Sequence, residues 1–273
     1  MTIWRLVLAL LLLACGASAV GAQQAVRVPV EVAGRTLHLA VTLYRPQHPG
    51  RHRAVALFHG CGGVGQNILR MAQILAGKGY VAVVVDSFGA RGTRDACTSR
   101  WPTVEQAVER VADIRASVAF LSARADVDAT RIAVMGYSYG GGVALLYALD
   151  GEPAARATIA VYPDCALQDR LGATLANRKP LLLTMGELDD WTPVRQCEAL
   201  LARIRSGRDL VETRVYPGAH HSFDAVGLPV RYLASAGNRS KPNNCCGAHY
   251  GYNAAAWTAF QRDVEAFLAR ALR

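Results

Sequence analysis

A serine stands between two glycines in the segment Gly136-Tyr137-Ser138-Tyr139-Gly140. Residues 132–135 before it are apolar and strand-like, and small residues that suit the start of a helix follow it. A serine on such a strand-to-helix turn exposes its hydroxyl, and the glycines let neighbouring backbone pass without side-chain clashes. The pattern predicts that Ser138 is a nucleophile, and a glycine-rich turn with an incidental serine is the alternative.

A serine hydroxyl is a weak nucleophile at neutral pH, so it needs a histidine to take its proton and a carboxylate to orient that imidazole. The histidines downstream of Ser138 are His220, His221 and His249, and the first two follow a strand-like segment, residues 210–216. Spacing alone leaves His220 and His221 as equal candidates for the base.

Carboxylates cluster where the apolar segment 181–184 ends, at Glu187, Asp189 and Asp190. Open α/β sheets place their sites at the carboxyl ends of the strands. Asp189 is the predicted acid. Glu187 and Asp190 stay as alternatives, because acidic residues at a helix N-terminus would also explain any one of the three.

A tetrahedral intermediate needs N–H donors aimed at its developing negative charge. The backbone N–H of Tyr139, the residue after the serine, is the first predicted donor. The second is expected in the glycine-rich segment 59–63 after the apolar run 54–58, and the Cys61 N–H is the candidate. A plain tight turn is the other interpretation of that segment.

Two apolar patterns describe the elements that must position these residues. Residues 26–33 and 36–44 alternate apolar and polar side chains around a turn, which predicts an antiparallel hairpin at an edge of a sheet. Continuous apolar runs, typical of parallel strands covered on both faces, then alternate with helical periodicity. The runs are 54–58, 81–85, 132–135, 157–161 and 181–184, and the helices are 68–76, 104–123, 141–149, 194–204 and 254–272. The predicted fold class is α/β, with a mostly parallel central sheet flanked by helices.

The N-terminus has the order of a secretory signal peptide, with a positive charge at Arg5, an apolar run over 6–14 and small residues up to Ala22. Cleavage after Ala19 or after Ala22 fits this pattern. Removal of residues 1–22 would leave one domain, 23–273, that is secreted or periplasmic. The apolar run is shorter than the roughly 20 residues that span a bilayer. Cys15 lies in a lipobox-like context, so a lipid anchor is the alternative.

Charge and motif spacing narrow the functional classes and ligands that remain possible. The net charge of +9 is spread along 273 residues without a basic run, so nucleic-acid binding is not expected. No metal is expected either, because Cys245 and Cys246 lie near His249 without the Cys-x-x-Cys spacing of zinc sites. Asn238-Arg239-Ser240 matches the N-glycosylation pattern.

Six cysteines follow the predicted signal, an even number that suits disulfides outside the cytoplasm. Pairs 61–97 and 165–197 are plausible from their places near presumed strand ends, which leaves 245 and 246 as a vicinal pair or as partners of something else. Residues 226–252, rich in Gly, Asn and Pro, are either a lid or wall over the site or a disulfide-pinned surface loop. Arg91 and Arg94 could meet an acidic substrate or face water.

Together, the motifs resemble those of the dienelactone hydrolase family of α/β-hydrolases over roughly residues 37–270. The resemblance rests on segments 59–63, 86–89, 136–140, 186–190 and 216–223. The last segment, in which a histidine precedes a small residue and a phenylalanine, is similar to the family's histidine loop and selects His221. Well-known members carry cysteine where this chain has Ser138, so dienelactone itself is not the expected substrate.

The resemblance implies hydrolysis of a small carboxylic ester or lactone through an acyl-enzyme, with no metal or organic cofactor. A serine peptidase with the same triad is one alternative, and the lack of a gating domain favours small esters over peptides. A non-catalytic binding protein on the same fold is the other, and the presence of Ser138, Asp189 and His221 argues against it.

Overall fold

The computed structural model describes residues 23–97, 104–149, 153–171 and 175–273. The predicted signal peptide and the alternative lipid anchor at Cys15 lie outside these residues. The strands are β1 (Gln23–Val32), β2 (Arg35–Tyr44), β3 (His52–Phe58), β4 (Val81–Asp86), β5 (Val127–Tyr137), β6 (Ala157–Val161), β7 (Leu175–Ala176), β8 (Leu181–Gly186), β9 (Ile204–Ser206), β10 (Val211–Tyr216), β11 (Arg231–Leu233) and β12 (Ala248–Tyr250). The helices are α1 (Gln66–Gly77), α2 (Val104–Ser122), α3 (Tyr139–Leu149), α4 (Val194–Ala202) and α5 (Ala254–Ala271).

Eight strands form one sheet in the order β1-β2-β4-β3-β5-β6-β8-β10. The pairs β1–β2 and β2–β4 are antiparallel, and the strands from β4 to β10 are parallel. The α/β class, the mostly parallel sheet and the edge position of the N-terminal hairpin are thereby confirmed.

The central strands carry continuous buried segments, such as residues 54–58 and 81–85, because both faces of the sheet are covered. In β3, Ala54, Ala56 and Phe58 face the core under α2 and α3, whereas Val55 and Leu57 face the core under α1 and α5. The hairpin differs, because in β1 buried residues alternate with exposed ones. This is the reason for the alternating pattern that the sequence carries there.

The strand order also explains where a site can form. From β3 the chain crosses to β4 on one side and later to β5 on the other, so the segments that leave the carboxyl ends of β3 and β5 diverge. Open α/β sheets bind ligands in the crevice at such a point. Segment 59–63 follows β3 and Ser138 follows β5, so both lie at this crevice.

A few boundaries differ from the prediction. The helix expected over 194–204 ends at Ala202, because Ile204 enters β9 and pairs with β7. Segment 226–252, predicted as irregular, contains the antiparallel pair β11–β12. Within the described ranges, none of the helices combines the length and apolarity that a membrane span requires.

Candidate active site

Ser138 lies in the turn between β5 and α3, with a positive φ of 54°. Its N–H donates to the Val161 carbonyl oxygen at 2.9 Å, which anchors the turn to the neighbouring strand. A Cβ atom added to Gly136 would strike the Gly140 backbone, and one added to Gly140 would strike the His59 carbonyl oxygen. Both glycines are therefore required by the close approach of neighbouring backbone.

The structure brings together the three residues predicted as nucleophile, base and acid. The Ser138 Oγ is 2.9 Å from His221 Nε2, and His221 Nδ1 is 2.7 Å from Asp189 Oδ2. All three residues are buried, with exposed fractions of 5%, 2% and 4%. His220 instead places its Nδ1 at 3.0 Å from the Leu188 carbonyl oxygen. The structure thus separates the two histidines that spacing left equal.

Backbone donors fix the Asp189 carboxylate. Its Oδ1 accepts hydrogen bonds from the N–H groups of Trp191 and Thr192 at 2.9 and 2.8 Å, which leaves Oδ2 for the histidine and for the Thr192 hydroxyl, which donates to it at 3.0 Å. The two alternative carboxylates have other partners. Asp190 lies 2.9 Å from His249 Nδ1, and Glu187 accepts the Gly218 N–H at 2.8 Å.

Aromatic rings and backbone hold the His221 imidazole. The ring centroids of Tyr162 and Trp191 lie 4.6 and 4.9 Å from that of His221. The His221 carbonyl oxygen accepts the Gly251 N–H at 2.8 Å, and the Thr192 Oγ1 is 3.1 Å from Nδ1. The imidazole is therefore restrained in plane and in direction.

A cavity of about 240 Å³ opens above Ser138 and His221. Residues 226–252 contribute Leu233 and Tyr250 to its lining, so this segment is a wall of the cavity. We call residues 226–252 the wall segment. The wall segment is anchored to the loop that carries Asp189, because Trp191 Nε1 donates to the Gly237 carbonyl oxygen at 2.8 Å.

The N-glycosylation pattern at Asn238 does not mark an exposed acceptor. The side chain is fully buried, and its Nδ2 donates to the carbonyl oxygens of Asp190 and Gly247, each at 2.9 Å. The Asn238 amide connects the wall segment to the loop that carries Asp189, and its burial leaves no space for a glycan.

The two predicted oxyanion donors lie on different segments, Tyr139 after β5 and Cys61 after β3. Tyr139 is the first residue of α3, and its ring points into the core beneath the Arg110 guanidinium, 4.7 Å from the ring centroid. The ring therefore does not line the cavity, and the N–H is the group of Tyr139 that remains as the predicted donor. Cys61 lines the cavity, and its carbonyl oxygen accepts the Ala96 N–H at 2.8 Å.

The cysteines lie at disulfide distance in the pairs that the sequence made plausible. The Cα atoms are 4.9 Å apart for Cys61 and Cys97 and 5.0 Å apart for Cys165 and Cys197, within the usual range. The adjacent Cys245 and Cys246 sulfur atoms are also in contact. Among the described residues there is no group of three or more His, Cys, Asp or Glu side chains that could hold a metal ion.

Arg91 does not reach the cavity. Its guanidinium makes two hydrogen bonds to the Asp113 carboxylate, at 3.0 and 2.9 Å, and a third to Glu109 at 3.2 Å. Burial disfavours its charge, but the two carboxylates outweigh that effect and raise the pKa of Arg91. Arg94 is exposed and does not line the cavity. Neither arginine lines the cavity above Ser138.

Sequence reasoning missed a buried polar network behind the histidine. Asp224 is fully buried and accepts hydrogen bonds from Tyr162 Oη at 2.8 Å and Asn67 Nδ2 at 3.0 Å. Burial raises the pKa of Asp224, and burial together with this carboxylate raises the pKa of Tyr162 well above its ordinary value. The sequence signal was an acidic residue three positions after His221. Its partners, however, come from distant elements.

The fold and the site define a carboxylic ester hydrolase of the α/β-hydrolase class. The dienelactone hydrolase family model matches residues 39–270, and the chain belongs to this family. A probable 2-oxo-3-(5-oxofuran-2-ylidene)propanoate lactonase of Bradyrhizobium sp is 28% identical over 195 residues, which cover 66% of this chain and 77% of the relative.

Two solved structures illustrate the shared fold. The dienelactone hydrolase from Anabaena variabilis superposes with a TM-score of 0.62 at 18% identity, covering 92% of this chain and 99% of that one. A thermophilic esterase from Thermogutta terrifontis superposes with a TM-score of 0.60 at 18% identity, covering 93% of each chain. At this identity the likeness concerns the fold alone. The family match over residues 39–270 confirms the predicted family, and the chain is a hydrolase of the esterase or lactonase type.

Proposed function

We propose that the protein is a serine hydrolase that cleaves a small carboxylic ester or lactone through an acyl-enzyme. The observation that carries the proposal is the continuous path from Asp189 through His221 to Ser138, with steps of 2.7 and 2.9 Å. An imidazole whose Nδ1–H is held by a carboxylate leaves Nε2 unprotonated, so Nε2 can accept the serine proton.

In the proposed reaction, Ser138 Oγ attacks the acyl carbon and passes its proton to His221 Nε2. The resulting oxyanion accepts hydrogen bonds from the N–H groups of Tyr139 and Cys61. The charge of Asp189 stabilises the imidazolium. The bond from the acyl carbon to the leaving oxygen then breaks as His221 returns the proton to that oxygen. Water attacks the acyl-enzyme with His221 again as the base, which releases the acid and regenerates Ser138.

The cavity supports a small substrate. Its volume of about 240 Å³ lies below the roughly 300–1,000 Å³ of pockets for drug-sized ligands. Leu233, Trp191 and Tyr250 provide apolar and aromatic surface around the reacting serine. Short acyl esters and small lactones are therefore the first compounds to test.

The test compares short p-nitrophenyl esters and a five-membered lactone with wild type, Ser138→Ala, His221→Gln and His220→Gln, all checked for folding by circular dichroism. We expect the first two variants to lose about 10³-fold or more in kcat, as removal of a triad member does. His220→Gln is the matched control and should stay near wild type. A fluorophosphonate should label wild type on Ser138.

Each contrary result has a defined meaning. Activity that survives Ser138→Ala would overturn the serine mechanism. Fluorophosphonate labelling without turnover of any ester or lactone would overturn the substrate class, and peptides would be tested next. Wild type that neither turns over nor is labelled would overturn the proposal as a whole.

We also propose that the enzyme works outside the cytoplasm, as a single domain over 23–273. Cysteine pairs at bonding distance suit an oxidising compartment. We expect a mature N-terminus after Ala19 or Ala22 and no free thiol, measured by intact mass and thiol titration of the exported fraction. An intact N-terminus with all seven thiols reactive would overturn this, and a lipidated Cys15 would place the protein on a membrane instead.

A further inference from the structure

His59 lies directly after β3, under the loop that carries Cys61, and its side chain is fully buried. Its two ring nitrogens have different partners. Nδ1 is 2.7 Å from the Gly60 carbonyl oxygen, and Nε2 is 3.1 Å from the Ser87 backbone nitrogen. The imidazole therefore bridges the loop after β3 and the loop after β4.

The partners determine which nitrogen carries the hydrogen. A backbone N–H can only donate, so Nε2 must accept from Ser87. A neutral imidazole has one hydrogen, which must then lie on Nδ1 and be donated to the Gly60 carbonyl oxygen. Burial and the Arg110 guanidinium lower the pKa of His59 to about 3, against a smaller opposing effect of the Gly60 carbonyl. The ring stays neutral at any pH near 7.

The bond to Gly60 controls the next N–H. In a planar trans peptide, the carbonyl of Gly60 and the N–H of Cys61 point in opposite directions. Holding the carbonyl against the ring therefore turns the Cys61 N–H away from His59. Gly60 itself adjoins the nucleophile, because a Cβ atom added there would lie 3.1 Å from Ser138 Cβ and 3.6 Å from Ser138 Oγ.

We propose that His59 is a positioning residue, whose Nδ1–H locks the Gly60–Cys61 peptide so that the Cys61 N–H is presented to the substrate oxyanion. The inference rests on the proposed serine mechanism and adds a residue outside the triad. A purely packing role is the competing explanation, since the His59 ring also contacts Phe88 edge-on at 4.5 Å between centroids.

Two substitutions separate the nitrogens. In His59→Asn the amide nitrogen takes the place of Nδ1 and can still donate to Gly60. In His59→Gln the amide oxygen takes the place of Nε2 and can still accept from Ser87, but the donor to Gly60 is gone. We expect His59→Asn to keep kcat within about tenfold of wild type. His59→Gln should lose about 10²-fold in kcat with KM little changed, near the effect of removing one oxyanion donor.

A second readout separates positioning from packing. A trifluoromethyl ketone forms a tetrahedral adduct with the serine, so its affinity should fall in proportion to kcat/KM in His59→Gln. Melting temperatures of both variants are measured alongside. A loss of thermal stability with unchanged inhibitor affinity would overturn the proposal in favour of packing.

Equal losses of kcat in the two variants would overturn the role of His59. If His59→Gln does not fold, His59→Leu replaces it, because leucine matches asparagine in shape and lacks the donor. Failure of the proposed serine mechanism is distinguishable, because the Ser138→Ala variant would then keep its turnover. If turnover depends on Ser138 but His59→Asn and His59→Gln lose kcat equally, only the inference about His59 is overturned.

Discussion

Replacing Asp189 by asparagine keeps the size of the side chain and changes one oxygen into an amino group. The backbone N–H groups of Trp191 and Thr192 point at Oδ1, so the amide oxygen must stay there. The amino group then faces His221 Nδ1, which has to accept from it. The single ring hydrogen moves to Nε2, and His221 can no longer take the proton of Ser138.

The alternative amide orientation does not rescue the variant. It would place the amino group against two backbone donors, at a cost of about 1–3 kcal/mol for each donor left unsatisfied. The wrong tautomer is therefore the populated one. The same exchange in a serine triad lowers kcat about 10⁴-fold, equivalent to about 5.5 kcal/mol of transition-state stabilisation. KM should change little, since Asp189 does not line the cavity.

The assay is steady-state hydrolysis of a short p-nitrophenyl ester by wild type, Asp189→Asn and the matched control Asp190→Asn. Asp190 is 38% exposed at its side chain and pairs with His249, so its variant should stay within about threefold of wild type. If Asp189→Asn keeps kcat within tenfold, or both variants lose activity equally, the tautomer argument is refuted.

Two further predictions concern stability. Replacing both Cys61 and Cys97 by alanine should lower the free energy of unfolding by up to about 4 kcal/mol, because the bond closes a loop of 36 residues. It should also lower kcat, because the bond holds segment 59–63, which carries the proposed Cys61 N–H donor. The Cys165 and Cys197 double variant should lose similar stability in urea but keep kcat, and equal kcat in both would contradict this. Burial raises the pKa of Asp224, so its contribution to stability is complete in acid and is lost as pH rises through that pKa. The free energy of unfolding of wild type relative to Asp224→Asn should therefore decrease from pH 4 to pH 8, and an increase would disprove the reasoning.

Much of the fold could be predicted because its signals are local. A parallel strand covered on both faces has to be almost wholly apolar, as residues 54–58 are and as residues 157–161 are apart from Thr158. The boundary that failed, at Ala202, depends on Ile204 pairing with Leu175. Such a contact between distant segments leaves no periodicity in the sequence.

The candidate site divides along the same line. By itself, the sequence determined that Ser138 occupies a strand-to-helix turn, because an apolar strand-like run precedes Gly136 and small residues that suit a helix start follow Gly140. It also placed a carboxylate and a histidine after later strands, since parallel strands all end at one edge.

Only the tertiary structure decided between His220 and His221 from geometry, because the choice depends on which ring reaches Ser138. It alone revealed the tautomer of His59, whose partner Ser87 follows a different strand. It also moved Arg91 from a possible substrate contact to an ion pair with Asp113. In each case the deciding partner is distant in the chain, and side-chain direction across such distances is set by packing and not by local pattern.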